Sequence, residues 1–231
     1  MTYNVYSSMK KGLLITFEGP EGSGKTTHIH LLASFLRKRG RRVLITREPG
    51  GSGLAKAFRR LLLETGDGLV PLAELLLYEA DRAQHVQETI LPALKRGQIV
   101  LCDRFTDSTA AYQGYGRGLD MKGIQILNRI ASKGLVPRLT VLLDVPSGRG
   151  LAQARRKKNR HDRLERAGLA FHQRVRRGFL KLARMDPKRF CVIRQQKTVK
   201  QTQEMIRNCL IRHPRMTLSG IHGFPASGRG E

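Results

Sequence analysis

One motif limits the possible folds of this chain more than any other. Residues 19–26 read G-P-E-G-S-G-K-T, which fits the pattern G-x-x-x-x-G-K-[ST]. That pattern indicates a phosphate-binding loop only where a β-strand precedes it and an α-helix follows it. Here the apolar run 12–17 precedes it, and residues 27–39 follow with apolar side chains at helical spacing and a stop at Gly40. A chance glycine-rich turn is therefore the weaker interpretation.

The residue types of this loop predict its chemistry. Its glycines allow backbone N–H groups to face phosphate oxygens, and the N-terminus of the next helix adds a positive dipole. Lys25 is predicted to reach the β- and γ-phosphates, and the Thr26 hydroxyl to bind Mg²⁺ beside them. The expected nucleotide is ATP, and the residues expected to bind it are Gly19, Pro20, Glu21, Gly22, Ser23, Gly24, Lys25, Thr26 and Thr27.

Short apolar segments alternate with longer amphipathic ones along the chain. Strands are predicted at residues 12–17, 42–46, 98–103, 139–144 and 191–193. Helices are predicted at residues 27–39, 54–63, 73–94 and 202–210, and Pro92 is expected to kink or end the third of them. This alternation predicts an α/β fold, a doubly wound parallel sheet of about five strands flanked by helices. Ligands of such sheets bind at the carboxyl ends of the strands.

The composition agrees with one globular domain, because the 231 residues are 40% hydrophobic. We expect a nucleotide-binding domain at residues 12–212, a polar extension at 1–11, and a disordered tail rich in Gly, Ser and Pro at 213–231. No apolar run approaches the roughly 20 residues that span a bilayer, and residues 1–11 lack the apolar middle of a secretory signal. A cytoplasmic location without a membrane partner is therefore expected. The three cysteines match no metal-binding pattern and are expected to be reduced thiols.

The net charge of +25 at pH 7 is the most unusual feature of the composition. Residues 149–189 supply nearly half of it, with 15 Lys and Arg against Asp162, Glu165 and Asp186. A positive field of this size attracts nucleotides, and it also attracts nucleic acid through counterion release. Composition favours polyphosphate binding and leaves a nucleic-acid role open. We expect nucleic-acid binding to be non-specific at most.

Four charged residues in the predicted loop or at the ends of predicted strands are candidates for the site. Asp103 ends a predicted strand, where P-loop enzymes place a carboxylate beside magnesium, and Arg104 follows it into the same cleft. Asp144 competes for that role, but the chain after it leads away towards the basic segment, so we favour Asp103. Glu21 is an acid inside an anion-binding loop. It either accepts a hydrogen bond from a hydroxyl of a second substrate or is a solvated acid at the loop tip.

Four motifs occur together and in order, and the loop is the first. The others are Arg47-Glu48-Pro49-Gly50-Gly51, Tyr78-Glu79-Ala80-Asp81-Arg82, and Asp103-Arg104-Phe105 with Ala111-Tyr112-Gln113-Gly114. Together they resemble thymidylate kinase, the ATP-dependent dTMP kinase of DNA precursor synthesis, over residues 13–186. The resemblance implies a fold like that of nucleoside monophosphate kinases with a short basic lid. It also implies phosphorylation of dTMP to dTDP with ATP and Mg²⁺.

The resemblance assigns roles to residues of the acceptor site. Tyr78 matches the aromatic residue that stacks on thymine, and Arg82 matches the arginine that reaches base and phosphate. Arg104 matches the arginine that holds the acceptor phosphate, and Glu21 the loop acid that meets the sugar 3′-hydroxyl. Thr109 and Gln113 match contacts to the base, Tyr112 a residue that crowds the sugar 2′ position, and Glu48 and Pro49 a loop beside sugar and phosphate. From the residues alone, Tyr78 could belong to the core and Arg82 could pair with Glu79 or Asp81.

Phosphoryl transfer needs cations near the transferred group, and the loop supplies only Lys25. Family members without an arginine in the loop place arginines in a lid over ATP, and residues 149–166 lie where that lid is expected. The candidates are Arg160, Arg155 and Arg156, in that order, and most other basic residues there are expected to be solvated. No general base is required, because a phosphate acceptor with a second pKa of about 6 is already largely dianionic.

Other functions fit parts of this pattern. An enzyme like adenylate kinase would lack both Glu21 and the motif from Tyr78 to Arg82. A deoxynucleoside kinase would need a general base, whereas Arg104 favours a phosphate clamp. A nucleic-acid-binding P-loop ATPase suits the charge, but no length is left for a separate binding domain. Arg194 departs from the family, which often has an acid there, and a homodimer through the long helices is implied by the resemblance.

Overall fold

The computed structural model describes residues 12–64, 68–157, 164, 166–213 and 216. A five-stranded sheet runs through them, and its strand pairs are all parallel. The strands are β1 (Leu13–Glu18), β2 (Val43–Arg47), β3 (Ile99–Asp103), β4 (Leu139–Asp144) and β5 (Phe190–Arg194). The predicted α/β fold with a parallel sheet of five strands is therefore confirmed.

The order of strands in the sheet is β2-β3-β1-β4-β5. The order reverses at β1, because the chain reaches β3 on one side of it and β4 on the other. Ligands of open α/β sheets bind outside the carboxyl ends of the strands at such a reversal. Residues 19–26 begin at this point, directly after Glu18.

Helices flank the sheet on both faces. Within the described residues they are α1 (Lys25–Arg37), α2 (Ala55–Glu64), α3 (Pro71–His85), α4 (Leu91–Lys95), α5 (Thr106–Thr109), α6 (Met121–Ala131), α7 (Ser147–Lys157), α8 (Leu169–Met185) and α9 (Val199–Arg212). The predicted helices at 27–39, 54–63 and 202–210 correspond to α1, α2 and α9. The sequence patterns did not predict α5, α6, α7 or α8.

Alternate residues of β1 point to opposite faces of the sheet, and all of them are buried. On one face, Leu13, Ile15 and Phe17 pack against α1 and α9. These helices contribute residues at helical spacing: Ile29, Leu32, Ala33, Leu36, Ile206 and Leu210. On the other face, Leu14 packs with Phe105 and with the helical residues that follow α3.

A π-helical segment, Val86–Ile90, joins α3 to α4, so the predicted helix at 73–94 continues to Lys95. Pro92 lies in the first turn of α4 and does not end the helix. Proline has no N–H group for the hydrogen bond of a regular helix, and a π-helical segment accommodates that loss. A second π-helical segment, Ala110–Gly116, follows α5 and carries part of the candidate site.

The expectation of three reduced cysteines is wrong for two of them. Cys191 on β5 and Cys209 on α9 form a disulfide, with their Cα atoms 6.5 Å apart. The disulfide could not be predicted from the sequence, because its cysteines are 18 residues apart in the chain. They meet only because α9 packs against β5. Cys102 is a free and buried thiol, as expected.

Several predicted segments lie outside the described residues. They include the extension 1–11, residues 158–163 and 165 of the lid with Arg160 among them, and most of the tail 213–231. Within the part of the chain that the structure describes, no helix has both the length and the apolar character needed to cross a membrane.

Candidate active site

A cavity of about 280 Å³ opens at the carboxyl edge of the sheet. The predicted site residues that line it are Glu21, Gly22, Ser23, Gly24, Lys25, Thr26, Thr27, Glu48, Pro49, Tyr78, Arg82, Asp103, Arg104, Thr109, Tyr112 and Gln113. Gly19 and Pro20 are buried and do not line it, and Arg155 and Arg156 are exposed elsewhere. Its wall also includes residues without a role in the sequence analysis: Arg47, Arg59, Phe105, Ser108, Ala154 and Leu164.

The phosphate-binding loop has a backbone geometry that its glycines permit. Gly19, Gly22 and Gly24 have φ angles of 138°, 68° and 85°, in the region that residues with a Cβ rarely adopt. Gly24 directly precedes α1, so the loop turns straight into the N-terminus of that helix. This is the arrangement in which backbone N–H groups bind an anion.

Lys25 is buried at the base of the loop. Its ammonium group donates to the carbonyl oxygens of Gly19 and Pro20, both at 3.0 Å, and to Ser23 Oγ at 3.3 Å. Burial, together with the charge of Arg104, lowers the pKa of Lys25 to about 8. Lys25 is therefore still mostly a cation at pH 7.

Thr26 at the start of α1 and Asp103 at the end of β3 contact each other. The Thr26 hydroxyl donates to Asp103 Oδ2 at 2.9 Å. Hydroxyl and carboxylate oxygens are the hard ligands that Mg²⁺ prefers, and this ion is often held by few protein groups together with phosphates. Asp144 instead accepts two hydrogen bonds from Arg176, at 2.6 and 2.9 Å. This ion pair gives Asp144 a structural partner and favours Asp103 for a metal site.

Arg104 has a φ angle of 70°, which is unusual for a residue with a Cβ and concentrates at functional sites. Its guanidinium group donates to Glu21 Oε1 at 2.6 Å, to Tyr112 Oη at 3.1 Å and to Ser108 Oγ at 3.2 Å. It also donates to the carbonyl oxygen of Gly19 at 3.3 Å. Arg104 thus joins the phosphate-binding loop to the helical residues beyond β3.

Glu21 is ionised at this junction. Burial alone would raise its pKa, but the charges of Arg104 and Lys25 hold the pKa of Glu21 at about 2. Tyr112 also donates to Glu21 Oε1, at 3.0 Å. The rings of Phe171 and Phe179 on α8 meet the Tyr112 ring edge-on, at centroid distances of 6.1 and 6.0 Å, and so fix it in place.

Glu18 is a site residue that sequence reasoning missed. It is fully buried, and its carboxylate accepts from Phe105 N at 2.7 Å and from Ser108 Oγ at 2.6 Å. Burial, together with the Asp107 carboxylate, raises the pKa of Glu18 to about 8. Because Ser108 in turn contacts Arg104, Glu18 supports the turn that presents this arginine. Glu18 ends an apolar strand, and the same position at the end of a strand identified Asp103.

Arg82 is 1% exposed and is surrounded by oxygen acceptors. Its Nε donates to Glu48 at 2.8 Å, Nη1 to Glu79 at 2.8 Å and to Asn128 at 2.7 Å, and Nη2 to Thr109 at 2.9 Å. Burial acts to lower its pKa, but Glu48 and Glu79 outweigh that effect and raise the pKa of Arg82 above its usual value. The ion pair with Glu79 that the sequence left open is present, and Arg82 lines the cavity as well.

Two further residues complete the wall opposite the loop. Tyr78 is half-buried, lines the cavity and packs at the margin of the apolar cluster around Tyr112. Gln113 is 1% exposed, and its Nε2 donates to Glu74 Oε1 at 2.5 Å. The predicted acceptor-site residues from β2, α3 and the segment after β3 thus meet around one cavity.

α7, the first part of the predicted lid, contacts the phosphate-binding loop through two glycines. A Cβ on Gly150 would lie 2.4 Å from the carbonyl oxygen of Glu21, and a Cβ on Gly22 would lie 1.9 Å from the carbonyl oxygen of Gly150. Such distances leave no room for a side chain. Arg155 and Arg156 are exposed near the C-terminal end of α7, so the structure does not bring them to the cavity.

Comparison with known proteins identifies the family. A family model described as "Thymidylate kinase" matches residues 17–206. The thymidylate kinase of Geobacter sulfurreducens is 52% identical over 206 residues, which cover 87% of this chain and 97% of that relative. The thymidylate kinase of Citrifermentans bemidjiense is 48% identical over 225 residues, which cover 95% of this chain and 99% of the relative.

A solved structure agrees with the sequence comparison. The crystal structure of thymidylate kinase from Ehrlichia chaffeensis matches with a TM-score of 0.73 and 36% sequence identity, over 87% of this chain and 99% of that one. The resemblance carried by the four sequence motifs is confirmed, and the chain belongs to the thymidylate kinase family.

Proposed function

We propose that this chain transfers the γ-phosphoryl group of ATP to the phosphate of dTMP, which gives ADP and dTDP. The observation that carries the proposal is the contact of Arg104 with Glu21, 2.6 Å long, between the phosphate-binding loop and the pocket of Tyr78 and Arg82. A guanidinium group there suits an acceptor that carries a phosphate. A carboxylate beside it suits an acceptor that carries a sugar hydroxyl.

The proposed chemistry relies on positioning and charge. Arg104 would hold the acceptor phosphate in line with the γ-phosphate, and Lys25 would meet the charge that spreads over the transferred group. The acceptor oxygen is largely dianionic at neutral pH, so it needs no base to activate it. Glu21, with its pKa held at about 2, stays ionised and would accept a hydrogen bond from the 3′-hydroxyl.

The nucleoside would lie between Tyr78 and the Arg82 pocket. Tyr78 supplies a flat ring for stacking on thymine, and Tyr112 stands beside Glu21, where it would crowd a 2′ substituent. Arg82 has five N–H donors, and four of them have partners among the described residues. The fifth, on Nη2, would donate to the base, while Thr109 and Gln113 complete the contacts to it. Glu48 and Pro49 would flank the sugar and phosphate.

Mg²⁺ is the proposed metal, and Thr26 and Asp103 are the residues that would hold it. When bound, it would neutralise negative charge that develops on the phosphates. The 2.9 Å contact between the Thr26 hydroxyl and the Asp103 carboxylate puts two hard oxygen ligands within reach of one ion.

The lid is proposed to supply further cations. Residues 149–166 would close over ATP, exclude water and bring Arg160, Arg155 or Arg156 to the phosphates, with Arg160 preferred. The contact of Gly150 with the phosphate-binding loop places the start of this segment beside the loop. We also propose a kinase domain at 12–212, an extension at 1–11, a tail at 213–231 and a cytoplasmic location.

A homodimer is proposed through the long helices. Neighbouring helices α3 and α6 each carry an exposed pair of large apolar residues spaced by one helical turn: Leu72 and Leu76, and Ile126 and Ile130. Exposed apolar patches of this kind mark interaction sites, and a symmetric dimer is the commonest way for soluble proteins to cover them.

The activity is tested with purified protein, ATP, Mg²⁺ and a panel of nucleotides, read by chromatography. We expect dTMP to be phosphorylated well, dUMP less well, and dCMP or AMP hardly at all. Equal turnover of AMP would contradict the assignment. The same assay with DNA in place of dTMP checks the nucleic-acid alternative, since strong stimulation of ATP hydrolysis without dTDP formation would favour a DNA-dependent ATPase.

A further inference from the structure

Glu74 on α3 is a fully buried acid that the proposed reaction does not use. Its Oε1 accepts from Gln113 Nε2 at 2.5 Å. Arg117 donates to the same carboxylate, from Nη2 to Oε2 at 3.1 Å and from Nε to Oε1 at 3.4 Å. Glu74 is thus in contact with the guanidinium group of Arg117 and with the side-chain amide of Gln113.

This contact decides which end of the Gln113 amide faces the cavity. An ionised carboxylate offers only acceptor oxygens, so the amide must turn its NH₂ group towards Glu74. The carbonyl oxygen is then at the opposite end of a side chain that lines the cavity. Among the described residues, no group donates to that oxygen, so its lone pairs are left for a ligand.

We infer that Glu74 is a specificity-determining positioning residue, which sets the pyrimidine that this site accepts by fixing the Gln113 amide. The inference rests on the proposed binding of dTMP, with Gln113 beside the base. Thymine carries a proton on N3 and an acceptor oxygen at C4. Cytosine carries a lone pair on N3 and an amino group at C4, which is the opposite pattern.

The arrangement of Arg82 and Gln113 suits the hydrogen-bonding pattern of thymine. The Gln113 oxygen would accept from N3–H of thymine, and the spare Nη2 donor of Arg82 would meet the oxygen at C4. With cytosine, the lone pair on N3 would face the lone pairs of the Gln113 oxygen, and the amino group at C4 would face the guanidinium group of Arg82. Neither pair could form a hydrogen bond. Sites that hydrogen-bond their substrate discriminate strongly against an analogue that leaves buried polar groups unpaired.

Gln113 alone cannot provide this selectivity. A primary amide that rotates by half a turn exchanges donor and acceptor with little change of shape, and would then suit cytosine. Selectivity therefore depends on the group that prevents the rotation. Glu74, Tyr78 and Arg82 are spaced by four residues on α3, so one face of this helix carries the orienting acid, the ring and the guanidinium group.

Glu74→Gln tests the inference with almost no change of volume. Arg117 attracts the oxygen of the introduced amide, whose NH₂ then faces Gln113 and forces that side chain to turn its own NH₂ into the cavity. We expect the ratio of kcat/KM for dTMP to that for dCMP to fall at least tenfold. An unchanged ratio, or equal losses with both substrates, would show that Glu74 is only a structural support.

Two variants at Arg117 sharpen this test. Arg117→Met alone leaves the contact between Glu74 and Gln113 in place, so the ratio should stay as it is in the unaltered protein. Combined with Glu74→Gln, Arg117→Met removes the charge that directs the introduced amide, and part of the lost selectivity should return. A ratio that does not recover, or that falls with Arg117→Met alone, would contradict the proposed orientation.

Gln113→Leu separates this inference from the proposed site. A ratio unchanged by Gln113→Leu would mean that Gln113 does not contact the base, and the proposed base site would be wrong. If that variant lowers the ratio but Glu74→Gln does not, the site stands and the role of Glu74 is wrong.

A measurement on the unaltered chain covers the case in which the Glu74 variant does not fold. By NMR, the side-chain NH₂ of Gln113 should stay protected from hydrogen exchange both with and without dTMP, because it bonds to buried Glu74. Rapid exchange of these protons would overturn the inference.

Discussion

Arg104 makes four hydrogen bonds where the phosphate-binding loop meets the acceptor pocket. Three of its acceptors are side chains: Glu21 in the loop, and Ser108 and Tyr112 in the helical residues beyond β3. A single guanidinium group thus holds the two halves of the site together and remains on the wall of the cavity. Its planar, permanently charged fork is suited to a phosphate in a way that lysine is not.

We expect Arg104→Ala to lower kcat by about a thousandfold, the upper range for loss of one group that stabilises a transition state. ATP affinity should change little, because the donor is proposed to bind to Lys25 and the loop backbone. Isothermal titration with ATP and steady-state assays with dTMP separate the two effects. Arg177→Ala, at an exposed position on α8, is the control. A large loss of ATP affinity would instead place Arg104 in the donor site.

The pKa of Glu21 predicts a specific loss of stability in acid. Its pKa is about 2 in the folded chain against an ordinary value of 4.5, so the folded state gains stability from its ionisation above pH 4.5 and loses it as the pH falls towards 2. Between pH 5 and pH 3, the free energy of unfolding should fall by about 2 kcal/mol through Glu21 alone, at 1.36 kcal/mol per pKa unit.

Urea unfolding at the two pH values checks this for the unaltered chain and for Glu21→Gln. The unaltered chain should lose about 2 kcal/mol more than the variant over this interval, since other carboxylates titrate equally in both proteins. Equal losses would mean that Arg104 and Lys25 do not hold Glu21 in its ionised form.

Sequence reasoning found the residues whose chemistry the phosphate-binding loop and the other motifs specify. Glu21, Lys25, Thr26 and Asp103 followed from position within a pattern. Glu18 was missed, although it ends an apolar strand as Asp103 does. Glu74 was missed because its role depends on Gln113, which reaches it from a π-helical segment 39 positions away in the chain.

At the scale of elements, the contact between α7 and the phosphate-binding loop depends on glycine. Gly150 lies in the first half of α7 and leaves no room for a Cβ against the backbone of Glu21. Gly148, in the same helix, has no atom within 4 Å of the position of an added Cβ. The two glycines therefore form a matched pair for mutation.

We expect Gly150→Ala to raise the KM for ATP and to lower kcat/KM by about tenfold, a barrier increase of roughly 1.4 kcal/mol. The added methyl group would push α7, and the lid that follows it, away from the loop. Gly148→Ala should leave the kinetics unchanged and stabilise the helix by up to about 1 kcal/mol. Steady-state kinetics on both variants measure this, and identical behaviour would show that the contact has no role in the reaction.

The strands β1, β3 and β4 were predictable because they are buried on both faces and read as apolar runs, whereas β2 and β5 are partly exposed. The parallel pairing of the strands also followed from the alternation of strands and helices, whereas their order in the sheet was not predicted. α6 and α8 were not predicted, although the apolar residues of both recur at helical spacing. The π-helical segment Val86–Ile90 was not predictable, since Pro92 in a regular pattern indicates only that some irregularity must occur.

At the scale of the whole molecule, part of the excess positive charge has structural roles. In the basic stretch 149–189, Arg176 pairs with Asp144 at 2.6 Å and Arg189 with Asp107 at 2.6 Å. Arg174 donates twice to the carbonyl oxygen of Gly116, at 3.1 and 3.0 Å. These contacts hold α8 and the segment after it to β4 and to the π-helical segment. Composition alone could not separate them from solvated charges.

If the proposed dimer forms, charged substitutions in its interface should halve the mass of the particle in solution without changing the fold of the chain. Leu76→Glu together with Ile130→Glu places charges on the apolar face of α3 and α6, so the variant should sediment as a monomer with an unchanged circular dichroism spectrum. Met185→Glu, at a 65% exposed position on α8, is the control and should stay dimeric. A monomer for the unaltered chain at micromolar concentration would contradict the proposal.

Glu21 contacts α7 through its carbonyl oxygen and Arg104 through its carboxylate. One residue is therefore shared between the part of the molecule that would close over the donor and the part that would hold the acceptor. A ligand that shifts either contact changes the energy of the other, so the donor and acceptor sites would be linked by a coupling free energy. Such coupling is reciprocal: if ATP tightens the binding of dTMP by some factor, dTMP must tighten the binding of ATP by the same factor.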